Sequence, residues 1–248
     1  MNTAENNTDK LRTVIIGHGN VGTHLMEALK KEADVILVNS HDLSSIPQNA
    51  DLIIICVKDN AVKTIADNLP ETGAVVAHTS GSVPIDEISY EGKDTGVFYP
   101  LQTFTKNIPL NYRDIPVFIE ASSERAEKIL TETAKLFTEK IYHADSEKRK
   151  KLHLASVFAC NFTNALAGIA KDILGESGID MNTILPLMEQ TVNKLKILSP
   201  EEAQTGPAVR GDSQVIARHL DMLKENKRYS DLYTIFSEII SDNNKKLM

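Results

Sequence analysis

Short apolar runs recur through the first half of the chain, and most are followed by a turn and a segment with helical periodicity. The runs are continuously apolar rather than alternating, which is typical of parallel strands buried on both faces. Strands that alternate with helices imply right-handed crossovers and helices on both sides of the sheet. We therefore predict an α/β fold with a doubly wound parallel sheet, whose strands are Thr13–Ile16, Val35–Val38, Leu52–Val57, Ala74–Ala77, Gly96–Phe98 and Val117–Ile119.

The pattern changes at about residue 145, and no strand is predicted beyond it. Apolar residues then recur at helical spacing, so we predict an all-α C-terminal domain. Its helices are expected over 146–174, 179–198 with an interruption near Pro186, 212–226 and 229–246. We accordingly predict two domains, residues 1–145 and 146–248. The basic run Lys148–Lys151 at their junction is interpreted as a solvated face.

The chain has 248 residues and a net charge of −7, from 27 Lys and Arg and 34 Asp and Glu. An acidic chain lacks the electrostatic surface of a nucleic-acid-binding protein, which argues against that class. Two cysteines provide no disulfide framework, and we interpret Cys56 and Cys160 as small buried apolar residues. The N-terminus has no signal-peptide pattern and no apolar run is long enough to cross a bilayer, so we expect a cytoplasmic location without a membrane partner.

The segment GHGNVG, residues 17–22, matches the dinucleotide-binding pattern G-x-G-x-x-G. It follows the first predicted strand and opens a helical segment, which is the context that the motif requires. Gly17 permits the tight turn, Gly19 lets the backbone approach a diphosphate, and Gly22 lets the helix pack closely on the sheet. A glycine turn without a ligand is the alternative. The context favours a cofactor, which we expect to be bound by Gly17, Gly19, Asn20, Val21 and Gly22.

The end of the second strand indicates which dinucleotide is bound. Where an NAD enzyme carries an acidic residue roughly 20 residues beyond the motif, this chain has Asn39, Ser40 and His41. None of these repels a 2′-phosphate, and Ser40 and His41 can donate hydrogen bonds to it. We therefore predict NADP, although the usual arginine is missing and Asp42 leaves NAD open.

Ligands of open α/β sheets bind beyond the carboxyl ends of the strands. We therefore expect Val57 and Lys58, which follow the third predicted strand, to line the cofactor cleft. Asp59 and Asn60 come next, and we interpret them as caps of the helix that follows.

Six segments carry a resemblance to a known family: GHGNVG, VKDNAV, HTSGS, YPLQTF, HLASVFACNF and TGPAVRGD. The chain resembles, from about residue 11 onward, a family of Rossmann-type NADP oxidoreductases whose C-terminal helical domain has no assigned function. That family is similar to pyrroline-5-carboxylate reductase and to the β-hydroxyacid dehydrogenases. The resemblance implies a Rossmann domain followed by a helical domain, and a dimer with its active site between the domains. It implies no substrate.

Two turns after predicted strands carry polar side chains on the expected nicotinamide side. His78 and Ser80 offer groups that can hold a substrate carboxylate or carbonyl, and an ordinary turn in which Ser82 caps the next segment is the equal alternative. Tyr99 and Gln102 follow the next strand, and we expect them to contact substrate as well. The resemblance implies His at position 99, so Tyr99 argues against an obligatory titrating group there.

The first helix of the second half carries a polar stripe. At about 3.6 residues per turn, His153, Asn161 and Asn164 share one side of it. A satisfied core histidine is the alternative for His153. The β-hydroxyacid dehydrogenases place a catalytic Lys where this chain has Val157, so their mechanism is not expected. We predict catalytic roles for His153, as general acid, and for Asn161, and a substrate contact for Asn164.

Arg210 can clamp a carboxylate or phosphate, or pair with a neighbouring acid, and Asp212 is interpreted as a helix cap. The histidines show no metal-ligand spacing, so no metal is predicted. The sequence thus predicts an NADP-dependent oxidoreductase acting on a small, anionic C=O or C=N substrate at the cleft between the domains. A dinucleotide-binding sensor or partner-binding protein without turnover is the alternative. We expect a homodimer, because the amphipathic helices of the second half leave apolar faces to cover.

Overall fold

The computed structural model describes residues 10–88 and 93–245, and seven strands within them form one sheet. All six predicted strands are present, which confirms the α/β fold. The seventh, β7, has only three residues, two of them exposed, so the sequence carries no apolar pattern for it. The strands are β1 Arg12–Ile16, β2 Asp34–Val38, β3 Leu52–Ile55, β4 Val75–His78, β5 Thr95–Pro100, β6 Val117–Ala121 and β7 Ile141–His143.

The sheet order is β2-β1-β3-β4-β5-β6-β7, and its first five strands are parallel. The chain therefore changes direction across the sheet at β1, with β2 on one side and β3 on the other. The prediction of an entirely parallel sheet is wrong for the last two strands, because β6 runs antiparallel to β5 and β7 follows β6. The segment between β5 and β6 holds only a single turn of 3₁₀ helix, so no helical crossover returns the chain to a parallel start.

Helices flank the sheet in the first half and make up the second. Beyond Asp145 the described residues form no strand, as predicted. A π-helical segment, Val157–Phe162, joins α4 to α5 without a break. The helices are α1 Asn20–Leu29, α2 Asp59–Asp67, α3 Glu124–Lys135, α4 Ser146–Ser156, α5 Thr163–Gly175, α6 Leu185–Lys194, α7 Pro200–Ala203, α8 Ser213–Met222 and α9 Lys227–Lys245.

The continuous apolar strands are explained by burial on both faces. On β1, Ile15 belongs to a core with Leu25 of α1 and Leu130 of α3. Its neighbours Val14 and Ile16 point to the opposite face and pack in a second core that includes α2. Alternate residues of one strand thus serve two cores, as a doubly wound sheet requires.

A buried ion pair fixes α4 to the sheet. Arg149 is fully buried, its guanidinium pairs with the carboxylate of Glu120 on β6, and it also donates to the Val83 carbonyl. The solvated-face interpretation of the basic run is therefore wrong for this residue, although it holds for the exposed lysines around it. Because α4 is held in this way, the first compact unit of the chain extends to Cys160, beyond the predicted boundary near residue 145.

The second compact unit begins at Asn161 and consists of helices. Pro186 lies in the first turn of α6, so it begins a helix there rather than interrupting one. Among the apolar residues described in this unit only Ala208 is buried. Cys160, at the end of the first unit, is exposed, so its interpretation as a buried residue is wrong; Cys56 is buried as predicted.

One continuous helix, Ser146–Gly175, is long and apolar enough to cross a membrane by length and composition, with a mean hydropathy of 1.3 over one window. The expectation from the sequence concerned uninterrupted apolar runs, and it is not contradicted by this helix, which mixes apolar residues with small polar ones. Such a helix is weak evidence for a span, since helices that pack on protein have the same composition.

Candidate dinucleotide and substrate site

A cleft of about 980 Å³ opens beyond the carboxyl ends of β1 and β3. This is the position where the strand order reverses, and ligands of open α/β sheets bind there. Most of the predicted cofactor residues line it. The lining consists of Gly17, His18, Gly19, Asn20, Val21, Ser40, His41, Cys56, Val57, Lys58, Asn60, Ala61, Thr64, Ile65 and Thr79.

The glycine turn has the geometry that a diphosphate requires. Gly17 has a φ of +114°, and a Cβ there would lie 2.4 Å from the Cys56 carbonyl oxygen. A Cβ on Gly22 would lie 2.1 Å from the Gly17 oxygen, so both glycines are needed for the turn itself. Gly19 differs, because a Cβ there would meet nothing within 4 Å. It precedes the first residue of α1 and offers no capping side chain, so this helix terminus faces open space with its N–H groups. The residues present therefore fit a dinucleotide.

The end of β2 lies at the same cleft. Ser40 and His41 line it, and the Asn39 side chain accepts a hydrogen bond from the His41 N–H at 3.0 Å. The Asp42 carboxylate is occupied by the N–H and hydroxyl of Ser44, at 3.1 and 2.6 Å. Both Ser44 bonds hold the pKa of Asp42 below its ordinary value. The described residues that line the cleft include no carboxylate.

After β3, Val57 and Lys58 line the cleft, whereas Asp59 and Asn60 take different roles from those expected. Lys58, not Asp59 or Asn60, is the cap residue of α2, and it makes no side-chain capping bond, so the capping interpretation is wrong. Asp59 instead accepts a hydrogen bond from the Ser82 hydroxyl, and Asn60 lines the cleft. Cys56 also lines it, but burial raises the pKa of its thiol to about 12. A thiolate at neutral pH is thereby excluded.

The turn after β4 connects the cleft to the candidate catalytic residues. Thr79 lines the cleft. Ser80, nearly buried, caps its own loop by accepting from the N–H groups of Ser82 and Val83 at 3.1 and 3.0 Å. The residue that caps is thus Ser80, and not Ser82 as in the alternative interpretation of this turn. The predicted contact of Ser80 with substrate receives no support from this geometry.

His78 is fully buried, and the Ser80 N–H donates to its Nδ1 at 3.1 Å. Burial lowers the pKa of His78 to about 4, helped by the nearby Arg149 guanidinium and opposed by the main chain at Pro84 and by Asp59. The ring is therefore neutral at physiological pH and lies inside the protein. This indicates a structural role, and the predicted contact with substrate stays unsupported.

The side chains of Tyr99 and His153 contact each other beside Gly81, the residue that follows Ser80. The Tyr99 hydroxyl lies 3.1 Å from His153 Nδ1, and the rings pack edge to face at 6.1 Å. Gly81 makes room for the imidazole, since a Cβ there would lie 2.6 Å from the same Nδ1. Burial raises the pKa of Tyr99, only partly opposed by the Arg149 guanidinium, so the phenol stays protonated. The structure thus brings these two predicted residues together within the first unit.

The remaining residues predicted for substrate contact or catalysis are exposed, namely Gln102, Asn161, Asn164 and Arg210. Gln102 accepts from the N–H of its neighbour Thr103 at 2.8 Å. Asn161 and Asn164 belong to the second unit. A shared side with His153 requires a regular α-helix throughout, whereas the π-helical segment has wider turns and shifts the phase of all residues after it. Arg210 pairs with no described acid.

Sequence reasoning missed two residues that support the site. Arg149 was not recognised, although its helical spacing from His153 places both on one face of α4. His24 of α1 is also buried: its Nε2 lies 2.9 Å from the Thr105 carbonyl oxygen and its Nδ1 3.0 Å from the Tyr112 hydroxyl. It holds the segment after β5 against the helix that begins at the glycine turn. No local pattern marks a histidine of this kind.

Known proteins match both a part of this chain and nearly its whole length. Residues 115–240 match the family model of DUF2520, a domain of unknown function. A candidate NADP oxidoreductase from Bacteroides fragilis, BF3122, is 34% identical over 94% of this chain and 98% of its own, with a TM-score of 0.86. Protein TM1727 from Thermotoga maritima is 24% identical over 94% of this chain and 98% of its own, with a TM-score of 0.71.

Pyrroline carboxylate reductase from Plasmodium falciparum, whose structure has NADP bound, is 11% identical over 95% of this chain and 97% of its own, with a TM-score of 0.61. At that identity the likeness concerns the fold alone. No curated protein sequence matches this chain significantly.

Proposed function

Because this chain belongs to the family defined by DUF2520, a domain of unknown function, and is 34% identical over almost its whole length to a candidate NADP oxidoreductase, we propose that it is an NADP-dependent oxidoreductase. One observation carries the proposal most directly. The open space in front of Gly19, at an uncapped helix terminus beyond β1, fits a diphosphate.

Gly19 allows a clean test of cofactor binding. Its φ of −71° suits any residue and a Cβ there meets no protein atom, so Gly19→Ala leaves the fold undisturbed. The added methyl group points into the space proposed for the diphosphate. We expect calorimetry to show NADPH binding by the wild type and at least roughly tenfold weaker binding by Gly19→Ala, about 1.4 kcal/mol, at an unchanged melting temperature.

Gly73→Ala is the matched control, since Gly73 also has open space around it but lies outside the cleft. It should bind NADPH as the wild type does. A wild type that gives no heat with millimolar NADPH or NADH, or a Gly19→Ala variant that binds both as tightly as the wild type, contradicts the proposal.

We propose NADP rather than NAD as the preferred dinucleotide, because Ser40 and His41 line the cleft and Asp42 is occupied by Ser44. Asn39→Asp tests the preference without changing shape, and its carboxylate can still accept from the His41 N–H. We expect at least roughly tenfold weaker NADPH binding and little change for NADH, because the new charge repels only a 2′-phosphate. Equal weakening for both dinucleotides contradicts the assignment.

The proposed reaction is the reduction of a small, anionic C=O or C=N compound. When bound, NADPH supplies the hydride. His153 then gives the Nε2 proton of its protonated ring to the substrate heteroatom; the N–H bond breaks as the new O–H or N–H bond forms, and a neutral imidazole remains. The support is positional, since His153 touches Gly81 and lies next to the turn whose Thr79 lines the cleft.

A panel of 2-keto acids and cyclic imines, with uncharged esters as comparison, tests this reaction through the loss of NADPH absorbance. We expect turnover on at least one charged member, and a fall in kcat of roughly a hundredfold or more for His153→Gln with NADPH affinity retained. Tight binding without turnover on any member supports the alternative of a dinucleotide-binding sensor.

We also propose that the protein is a homodimer. The second unit buries only one described apolar residue, while large side chains such as Leu187 and Ile197 are 69% and 86% exposed. An apolar groove of about 360 Å³ lies between α5 and α9 of this unit and is also lined by Leu223 and by residues of the 205–208 segment. A second copy of the chain is the occupant proposed for these surfaces.

Light scattering measures the assembly directly. We expect a mass of two 27.4 kDa chains for the wild type. Leu187→Glu should shift it toward one chain, whereas Gln190→Glu, a charge at an exposed position of the same helix, should not. A monomeric wild type contradicts the dimer. The roles of Asn161, Asn164 and Arg210 stay predictions, as does the cytoplasmic location.

A further inference from the structure

The contact between Tyr99 and His153 bears on which nitrogen of the imidazole carries the proton. The Tyr99 hydroxyl lies 3.1 Å from Nδ1 and has no other hydrogen-bond partner among the residues that the structure describes. Tyr99 is nearly buried, and a buried hydroxyl hydrogen without an acceptor is costly. A neutral imidazole has one nitrogen that accepts and one that donates. The phenol therefore favours the form in which Nδ1 accepts and Nε2 carries the proton.

We propose that Tyr99 is the positioning residue of His153, which fixes the imidazole as the Nε2–H tautomer and so makes Nε2 the nitrogen that donates. When the ring takes a second proton, the hydroxyl oxygen can accept from Nδ1–H, and Nε2 keeps its proton. Nε2 thus carries a proton in both states. When the protonated ring gives this proton to substrate, the neutral ring that remains is the Nδ1–H form, whose Nδ1 can donate to the hydroxyl oxygen, and exchange of protons with solvent then restores the Nε2–H form that Tyr99 favours. The catalytic meaning of this arrangement rests on the function proposed above, whereas the tautomer itself does not.

Gly81 supports the contact from the other side. A Cβ at this position would lie 2.6 Å from Nδ1, 2.8 Å from Cγ and 2.9 Å from the Cβ of His153. Gly81 has an ordinary backbone conformation, so the absence of a side chain serves the close approach of the imidazole and not a special turn. Gly81→Ala must move the ring, and the movement separates Nδ1 from the Tyr99 hydroxyl.

Two other histidines provide internal references of known tautomer. His24 Nε2 faces the Thr105 carbonyl, which only accepts, so that nitrogen carries a proton. His78 Nδ1 accepts from the Ser80 N–H, so its proton also lies on Nε2. Neither assignment depends on Tyr99.

The experiment is long-range ¹H–¹⁵N NMR of the ring nitrogens in the full-length, ¹⁵N-labelled protein. It is performed at roughly pH 8, where an ordinary imidazole is neutral. His153→Gln identifies the His153 signals. In the wild type we expect His153 to show the Nε2–H pattern of His24 and His78. The expected bias toward this form is on the order of tenfold, from one net hydrogen bond.

Tyr99→Phe removes only the hydroxyl, and we expect the His153 pattern to become a mixture of both tautomers while the reference signals stay unchanged. Tyr142→Phe, an exposed tyrosine on β7, is the matched control and should leave all patterns as they are. Tyr99→His restores a donor and should return His153 toward the Nε2–H form. If Tyr99→Phe does not fold, Gly81→Ala tests the same contact and should give the same mixture.

A wild type with the Nδ1–H form or a mixture at His153 overturns the proposal, as does a pattern that neither variant changes. No dinucleotide and no turnover enter this measurement. Failure to bind NADPH therefore refutes the proposed function alone, and a wrong tautomer refutes the positioning role alone.

Discussion

Acid sensitivity of the first unit follows from the buried His78. Burial, helped by the Arg149 guanidinium, lowers the pKa of His78 from the ordinary 6.5 to about 4 in the folded protein. Between these two pH values His78 binds a proton in the unfolded chain but not in the folded protein. The free energy of unfolding therefore rises with pH across this window and is lost as the pH falls from about 6.5 toward 4.

The size of the effect comes from the same two values. At about 1.4 kcal/mol per pH unit, the difference between 6.5 and about 4 amounts to about 3 kcal/mol. This is a large part of the stability of an ordinary domain, which is about 5–15 kcal/mol. His78 is fully buried, so solvent screening does not reduce the figure greatly.

His78→Asn removes the titration and keeps an acceptor near the position of Nδ1 for the Ser80 N–H. The smaller side chain lowers stability at every pH, so the informative quantity is the slope with pH. Urea unfolding followed by circular dichroism suits this chain, which has no tryptophan. We expect the wild type to lose about 3 kcal/mol more than the variant between pH 7 and roughly pH 4.

His143→Asn is the control, because His143 is exposed and its replacement should leave the slope of the wild type in place. If the wild type and His78→Asn lose stability in parallel as the pH falls, the reasoning about the buried neutral imidazole is refuted.

Two further predictions concern buried contacts. Glu120→Gln leaves the Arg149 guanidinium buried without its counter-charge and should lower the free energy of unfolding by about 3 kcal/mol or more. Urea titration measures this loss. A double variant that also carries Arg149→Met should recover part of it. Equal stability of the single and double variants speaks against the ion-pair argument. Gly22→Ala places a Cβ 2.1 Å from the Gly17 oxygen and should lower the free energy of unfolding by about 1–3 kcal/mol, whereas Gly19→Ala should leave it unchanged. The melting temperatures of the two variants test this, and equal values contradict the packing argument.

The strands and the glycine turn could be predicted because their physical demands are local. A strand buried on both faces is mostly apolar, and each of the six longer strands contains a run of at least three consecutive apolar residues. Gly17 and Gly22 are required by backbone geometry that no other residue meets easily. The family resemblance, which rests on such segments, is confirmed by the DUF2520 match and by the Bacteroides fragilis relative.

The remaining features depend on contacts between distant parts of the chain. Tyr99 and His153 are 54 positions apart, and neither side chain signals the other locally. Arg149 sits among exposed lysines, so its burial follows only from Glu120, which lies 29 positions away. The π-helical segment after Ser156 has no sequence signature that we recognised, and it invalidated the helical phase assumed for Asn161 and Asn164.

The reversed polarity of the last two strands determines where His153 arrives. β6 starts beside Pro100, and β7 runs with β6, so the chain leaves the sheet on the side where β1 and β3 begin. The next helix, α4, therefore runs back toward the opposite edge of the sheet. The seven residues from Ser146 to His153 span about 10 Å of helical rise, which brings the imidazole from the level of Ser146 to that of Tyr99. If β7 ran parallel to β1, the same helix would begin at the edge of the sheet where the coenzyme is proposed to bind and would run away from that edge.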